Sequence, residues 1–326
     1  MVICVYGKKL TITDIANMAQ VAKSTVSRYL NGGPVSAKTR EKINKVVTEN
    51  NYQPNTFAQS LKQKVNHTIG VIVPRLDSSA QVEMLRGLDD ANENDTFLIV
   101  NTYQSTKREL AAIEKLRTQN VSGLIVLTAN LNDELRNALT EFDAPVVIQG
   151  QEEPNFHRVV MNDLQAGTVV GEFAASLHPQ NTLLLKIDET LDWAIGHDRF
   201  LNIRKKLSTS KVTVVNSKFS IAEAKVAAQQ AMQSQNFDLI IGATDRITIG
   251  ALQAGLATGQ NARYIGFGKS DLSTTVTPNL TSFEYDFYQT GKKIYELFCT
   301  VRDANPSNTI RTVLDGELVV RDSTEK

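Results

Sequence analysis

Leu10-Thr11-Ile12-Thr13-Asp14-Ile15-Ala16-Asn17-Met18-Ala19-Gln20-Val21-Ala22-Lys23-Ser24-Thr25-Val26-Ser27-Arg28-Tyr29-Leu30-Asn31 carries a helical apolar period twice, with a short interruption between. Ile12, Ile15, Ala16 and Ala19 set the first period, and Val26, Tyr29 and Leu30 set the second. The break at Gln20-Val21-Ala22 is too short for a linker, so the spacing predicts two helices crossing at a tight turn over a shared apolar seam. Thr11 followed three residues later by Asp14 is a capping arrangement for the first helix. Gly32-Gly33-Pro34 breaks the chain, and a third helix is expected from Ser36 through Val47, with Ile43, Val46 and Val47 inward and a stop at Asn50-Asn51.

The outward residues of the second helix are Lys23, Ser24, Thr25, Ser27 and Arg28, a set suited to phosphates and base edges in a major groove. Charge agrees with that reading. Residues 8–66 hold ten Lys or Arg against three acids, +7 in a chain whose formal net charge is zero, so the remainder carries −7. A basic head on an acidic body is the footprint of a nucleic-acid reader, since each neutralised phosphate releases counterions; the plainer alternative is a solvated charged face.

Working outward, 326 residues with 41% hydrophobic content accommodate a small module and a two-lobed core. The longest apolar runs, such as Ile69–Val73 and Leu124–Leu127, are strand-sized, so no membrane span is expected. Residues 1–7 lack a basic leader and read as an extension outside the fold. Cys4 and Cys299 stand far apart without metal-ligand spacing, which suits a reducing, cytoplasmic setting and no metal. His67, His157, His178 and His197 are scattered, and neither a nucleophile elbow nor a phosphate-binding glycine loop occurs, so neither an enzyme nor a cofactor is expected.

From Thr68 onward strand-like and helix-like stretches alternate. Strands are expected at 68–73, 96–101, 123–127, 145–149, 159–161, 182–187, 213–217, 239–242 and 262–267, and helices at 81–92, 107–119, 133–142, 164–177, 199–207, 221–233 and 247–257. The fold class is therefore a small all-α helix-turn-helix head plus an α/β core of two doubly wound parallel-sheet lobes. Ligands of such sheets bind beyond the carboxyl ends of the strands. The loops starting at Pro74, Thr102, Thr128, Gln149, Asp188, Ser217, Ala243 and Gly268 should line an interlobe cleft.

Thr25-Val26-Ser27-Arg28, the run from Val35 to Lys42, and Tyr52-Gln53-Pro54-Asn55 with Ala58 and Leu61 fall in the order that marks the head of the lactose-repressor family, which the chain resembles from about Lys8 to Arg321. There are departures: Gln20-Val21-Ala22 replaces the usual Gly-Val-Ser, removing a side-chain cap, and the loop before Val35 is one residue short. The resemblance implies a head at 8–53, a hinge helix or linker at 54–66, and a periplasmic-binding-protein-like core at 67–326. Its first lobe would be about 67–160 plus 287–314, and its second about 161–286 plus 315–322. It further implies that Thr11, Lys23, Ser24, Thr25, Ser27, Arg28 and Asn31 contact the operator, and that Asn55, Ala58 and Leu61 act from the hinge, with Leu61 as a minor-groove wedge. The alternative for Leu61 is packing on the core.

Core motifs are looser: Asp163-Leu164-Gln165-Ala166-Gly167, Arg199, and Thr244-Asp245 followed by Ile249-Gly250-Ala251 match the family's pattern. The resemblance implies an effector site from Arg75, Ser78, Gln149, Trp193, Arg199, Phe219, Thr244 and Lys269. Arg199 would grip hydroxyls or carboxylates, the alternative being a surface salt bridge. Trp193 would stack on a sugar ring or pack in the core. Two strand-end positions at which sugar-binding members often carry Asp are Gly150 and Gly268, while Pro74-Arg75-Leu76-Asp77-Ser78 resembles the loop with which the family's trehalose repressor meets a phosphate. A phosphorylated sugar is expected, unless Arg75 only pairs with Asp77. The implied protein is a nucleoid-associated repressor of carbohydrate-utilisation genes, binding a palindromic double-stranded operator as a homodimer. The competing readings are a sugar-binding module with a protein-contacting head and a regulator with a non-sugar effector.

Overall fold

The computed structural model describes residues 10–30, 32–50, 52, 67–269 and 271–325. They fall into two compact units, one up to residue 66 and one from 67 onward. Asn31, Asn55, Ala58 and Leu61, and with them the expected hinge, lie outside the described residues.

The first unit is three helices: α1 (Ile12–Ala19), α2 (Lys23–Leu30) and α3 (Ala37–Glu49). Thr11 caps α1 in a reciprocal box: its hydroxyl accepts from the Asp14 amide, and the Asp14 carboxylate accepts from the Thr11 amide at 2.8 Å. Gln20 takes a left-handed conformation (φ 54°) and turns the chain into α2. Ile15, Ala16, Ala19, Val26 and Ile43 close the core, with Val21, Tyr29, Leu30, Val46 and Val47 packed around them. The Tyr29 hydroxyl donates to Asn44 Oδ1 at 3.0 Å, tying α2 to α3. At the start of α2, Ala22 offers only its carbonyl, which accepts from the amides of Thr25 and Val26.

The second unit contains two six-stranded sheets. Strands β1 (Thr68–Val73), β2 (Thr96–Asn101), β3 (Gly123–Leu127), β4 (Val146–Gln149), β5 (His157–Met161) and β11 (Arg311–Leu314) build the first, in the order β11-β5-β4-β3-β1-β2. Strands β6 (Asn181–Ile187), β7 (Lys211–Ser217), β8 (Leu239–Gly242), β9 (Arg263–Gly268), β10 (Thr281–Glu284) and β12 (Glu317–Val319) build the second, in the order β12-β10-β9-β8-β6-β7. Helices α4 (Ser79–Asp90), α5 (Thr106–Thr118), α6 (Asp133–Thr140), α7 (Asp163–Ser176), α8 (Arg199–Lys206), α9 (Ile221–Met232), α10 (Asp245–Thr258), the short α11 (Leu272–Thr275) and α12 (Phe287–Ala304) connect the strands. The expectation of parallel lobes holds except at one edge: β12 runs antiparallel to β10. The reason is connectivity, because β12 follows β11 after only two residues and enters the second sheet from the opposite end.

The chain passes between the sheets after β5, after β10 and after β11. Asn162 and Asp315, in two of these passages, are bonded side chain to side chain at 2.9 Å. The strand interiors are nearly continuous apolar runs, as both faces of a parallel sheet are covered by helices: Ile69, Val71, Leu124 and Ile125 in one, Leu183, Leu184, Ile240 and Ile241 in the other, are fully buried. No described helix is long and apolar enough to cross a membrane.

The bare N-terminus of α2 yields a direct test. Ala22→Ser supplies the missing side-chain acceptor and should stabilise the head by about 0.5–2 kcal/mol. Chemical denaturation of the head followed by circular dichroism measures it, and no gain would mean that the Ala22 carbonyl geometry leaves no room for a cap.

Candidate functional site

Between the two sheets lies a cavity enclosing about 1040 Å³ of empty space including its mouth. Each loop expected at the cleft contributes to its wall: Arg75, Gln104, Thr128, Gln149, Asp192, Phe219, Thr244 and Gly268 come one from each of them. Strand ends position these groups, because the sheets stop there and the backbone turns into the next helix.

Arg199 is a buried charged group of the wall. It opens α8 and is 4% exposed, its Nε and Nη2 donating to Asp163 Oδ1 at 2.8 and 2.6 Å and its Nη1 to the Ala243 carbonyl at 2.5 Å. The Tyr285 hydroxyl donates to the same Asp163 oxygen at 2.9 Å. The guanidinium lies over the Phe267 ring, 4.5 Å from its centroid. Burial is the largest single influence and opposes its charge, yet Asp163, Tyr285 and Asp192 together outweigh it and the pKa is raised. Arg199 is thus neither a surface salt bridge nor a free fork. Three of its five N–H groups are engaged by the protein, and two remain for a ligand.

Arg75 comes from the loop after β1, its guanidinium 4.0 Å above the Phe219 ring and 4.0 Å from Asp77 Oδ1. Burial, with Arg246 nearby, holds its pKa below the usual value despite Asp77. Arg246 also lines the wall and donates from Nη1 to the Asp77 carbonyl at 3.1 Å. Ser78, Gln149 and Thr244 line the cavity as expected, although the Thr244 hydroxyl also caps α10 by accepting from the Ile247 amide.

Two expected residues stand elsewhere. Trp193 is 45% exposed and stacks on His197 at 4.1 Å, outside the cavity. The π-helical turn Ala194–Asp198 puts Trp193 and His197 on one face, while Asp192, Ile195 and Arg199 face the cavity. The Trp193 backbone amide donates to Asn130 Oδ1 at 2.8 Å, and the Asn130 side-chain amide donates to the carbonyls of Glu189 and Thr190, bridging the lobes. Lys269 points outward to Asp286 at 3.9 Å, because it follows Gly268, whose φ of 154° turns the chain away.

Sequence reasoning passed over Asp192, Asp245, Arg246, Thr128 and Tyr285 as site residues. Asp245 had a signal in the Thr244-Asp245 pair; Asp192 had none, since only the helical phase aims it inward. The absent acids also have a backbone explanation. Gly150 has φ 107° and a Cβ there would meet the Thr128 carbonyl at 2.6 Å, so neither Gly150 nor Gly268 leaves ordinary room for a side chain. Carboxylates reach the cavity by other routes, from Asp163, Asp192 and Asp245. Burial lifts the Asp192 carboxyl to about 7, against the Ile195 amide that donates to it, and lifts Asp245 to about 6, against the Ser282 hydroxyl. Among the described residues, the buried side-chain polar atoms without a partner are Arg117 Nε, Thr128 Oγ1, Asp245 Oδ2 and Arg246 Nε; the last three belong to residues of this wall.

In the first unit, Lys23, Ser24 and Arg28 are exposed on α2, with Thr25 and Ser27 partly so. Thr11 is exposed, but its hydroxyl is engaged with Asp14 at 2.7 Å, which makes it a cap first.

The raised pKa of Asp192 has a thermodynamic consequence. In the folded chain it keeps its proton to about 7, against about 4 when unfolded, so this group makes stability fall as pH rises between those values. Asp192→Asn should therefore raise the ligand-free core's stability at pH 8, by up to about 4 kcal/mol, and by less than about 1 kcal/mol at pH 4.5. Paired thermal scans measure the difference, and an equal effect at both pH values would exclude titration of Asp192 as the cause.

The family model for bacterial regulatory proteins of the lacI family matches residues 11–55, and that for periplasmic binding proteins and the sugar-binding domain of the LacI family matches 66–307. The chain is 32% identical over 288 residues to the sucrose operon repressor of Staphylococcus xylosus, covering 86% of this chain and 90% of that one. It is 26% identical over 302 residues to catabolite control protein A of Priestia megaterium, covering 86% and 89%. Among solved structures it superposes on a lac repressor dimer bound to operator and the anti-inducer ONPF with a TM-score of 0.83, at 23% identity, covering 97% of this chain and 99% of that one. A complex of the regulator CelR with cellobiose gives 0.72 at 20% identity, covering 96% and 99%. Helix-turn-helix head, paired sheets and interlobe cavity thus meet in a single chain, which belongs to the LacI family of DNA-binding transcriptional repressors with a sugar-binding domain.

Proposed function

We propose that this repressor controls carbohydrate-utilisation genes from a palindromic operator, as a homodimer, and that its effector is a phosphorylated sugar bound between the lobes. The observation that carries the reading is the set of unpartnered buried atoms in the cavity wall: a carboxylate acceptor on Asp245, a guanidinium donor on Arg246 and the Thr128 hydroxyl. A polyhydroxylated ligand supplies both donors and acceptors, which is what such a mixed set requires. The wall carries charges of both signs. Arg75 and Arg246 share Asp77, an arrangement suited to a phosphate, while Arg199, Asp163, Asp192 and Gln149 suit ring hydroxyls.

A neutral disaccharide is the second reading, favoured by the three carboxylates on the wall. The relative from Staphylococcus xylosus makes sucrose and sucrose 6-phosphate the first probes. A second copy of the chain is the expected partner, because one helix-turn-helix covers only a half-site. Exposed Val82 on α4 and Ile99 on the edge strand β2 offer apolar surface for it.

Calorimetry with both probes separates the two effectors. Arg75→Gln should lower affinity for sucrose 6-phosphate about tenfold to a hundredfold, the worth of a charge-assisted hydrogen bond, and leave sucrose almost unaffected. Tight sucrose binding that Arg75→Gln does not change would retire the phosphate and leave Arg75 as a partner of Phe219 and Asp77.

Operator binding is tested in the head. Arg28→Ala should cost about 1–3 kcal/mol on the preferred operator and relax preference at one base pair per half-site. Lys42→Ala, on α3, should weaken binding uniformly and in a salt-dependent way. Fluorescence anisotropy on an operator panel at fixed salt reads both, and equal loss of sequence preference in the two variants would remove α2 as the recognition helix.

A further inference from the structure

Asp245 begins α10 with a carboxylate 2% exposed and split in its duties. Oδ1 accepts the Ser282 hydroxyl at 2.6 Å, whereas Oδ2 has no partner. The surroundings show where Oδ2 is aimed. A Cβ on Gly268 would stand 2.7 Å from Oδ2, and one on Gly266 would stand 2.3 Å from Oδ1, so these two glycines of β9 leave the space that the carboxylate occupies. Gly268 and Asp245 both line the cavity, beside Arg199, Phe267 and Tyr285. Gly268, the last residue of β9, therefore presents no side chain of its own, and an acid from the neighbouring helix stands against it.

We propose that Asp245 is a specificity-determining residue, whose Oδ2 accepts one hydroxyl of the effector at a subsite kept open by Gly268. The inference rests on the sugar-effector reading and deepens it. Burial and Glu284 raise the carboxyl while Ser282, Arg321 and Arg199 lower it, leaving it at about 6. At pH 7.5 it is mainly ionised and accepts only, which discriminates a hydroxyl from a hydrogen or an ether at that position. A ligand that lacks the hydroxyl leaves Oδ2 buried and unsatisfied, and so forgoes the charge-assisted hydrogen bond that the matching ligand makes.

Asp245→Asn keeps the shape and an oxygen for Ser282 but turns the unpartnered atom beside Gly268 into a donor. Calorimetry at pH 7.5 uses sucrose, sucrose 6-phosphate and the monodeoxy derivatives of whichever binds the wild-type chain more tightly. The variant should fold with unchanged circular dichroism and bind that parent sugar about tenfold to a hundredfold more weakly. One monodeoxy derivative should bind wild type and variant equally, identifying the hydroxyl that Asp245 reads. Gly268→Ala, which places a methyl group against Oδ2, should lose affinity by a similar factor and serves if Asp245→Asn does not fold.

Parent affinity within twofold of wild type in Asp245→Asn, or in Gly268→Ala where that variant stands in, overturns the proposal, as does a loss that persists for every deoxy derivative. Failure of the wild-type chain to bind either probe overturns the sugar-effector reading and this one with it, a result distinct from binding that ignores Asp245.

Discussion

The buried pair between Arg199 and Asp163 is the constraint on which the core depends. Asp163 opens α7 at the first passage between sheets, Arg199 opens α8, and Tyr285, at the second passage, donates to the same carboxylate. Ala243, at the end of β8, receives the remaining bond. One guanidinium thus fixes the phase of two helices, a strand end and a crossover. Burying two charges is expensive, and removing either partner of such a pair costs about 3–5 kcal/mol because the other is stranded. The arrangement is weak evidence for net stability and strong evidence for a fixed geometry at the cavity floor.

That geometry couples binding to lobe position. The cavity wall is drawn from both sheets, and besides the crossovers the lobes touch through Asn130 with the Glu189–Trp193 loop, through Gln151, which donates to Asp192 Oδ1 at 3.4 Å, through Arg75 over the Phe219 ring and through Arg246 with the Asp77 carbonyl. A ligand that bonds Arg75 on one lobe and Arg199 on the other stabilises one lobe spacing over others, which is the differential affinity that any allosteric shift requires.

Much of the architecture was legible because local rules agree with the global fold. The Thr11-Asp14 box, the stop after Glu49 and the apolar strand runs all stand where periodicity and capping put them. In the region after Phe267, β10 is four residues of mixed Thr, Ser, Phe and Glu and β12 is three, too short for a period to show, whereas the eighteen-residue α12 carries a helical period in Ile294, Leu297, Phe298 and Val301 that sequence reasoning passed over. The site was legible at the level of loops rather than atoms. Trp193 and Lys269 belong to the right loops and point away, one by helical phase and the other after a positive-φ glycine. Gly150 and Gly268 look like missing acids in the sequence, whereas in the fold they are backbone solutions, and at Gly268 the acid comes from a residue 23 positions earlier.

The pairing of β11 with β5 carries a consequence for biogenesis. Arg311–Leu314 lies about 150 residues beyond its partner strand, so the first sheet acquires its last edge only when nearly the whole chain has left the ribosome. The three-helix head, complete by residue 52, depends on no later segment for its apolar core. Synthesis therefore delivers a folded head on a nascent chain whose first lobe still lacks a strand and whose second still lacks β12.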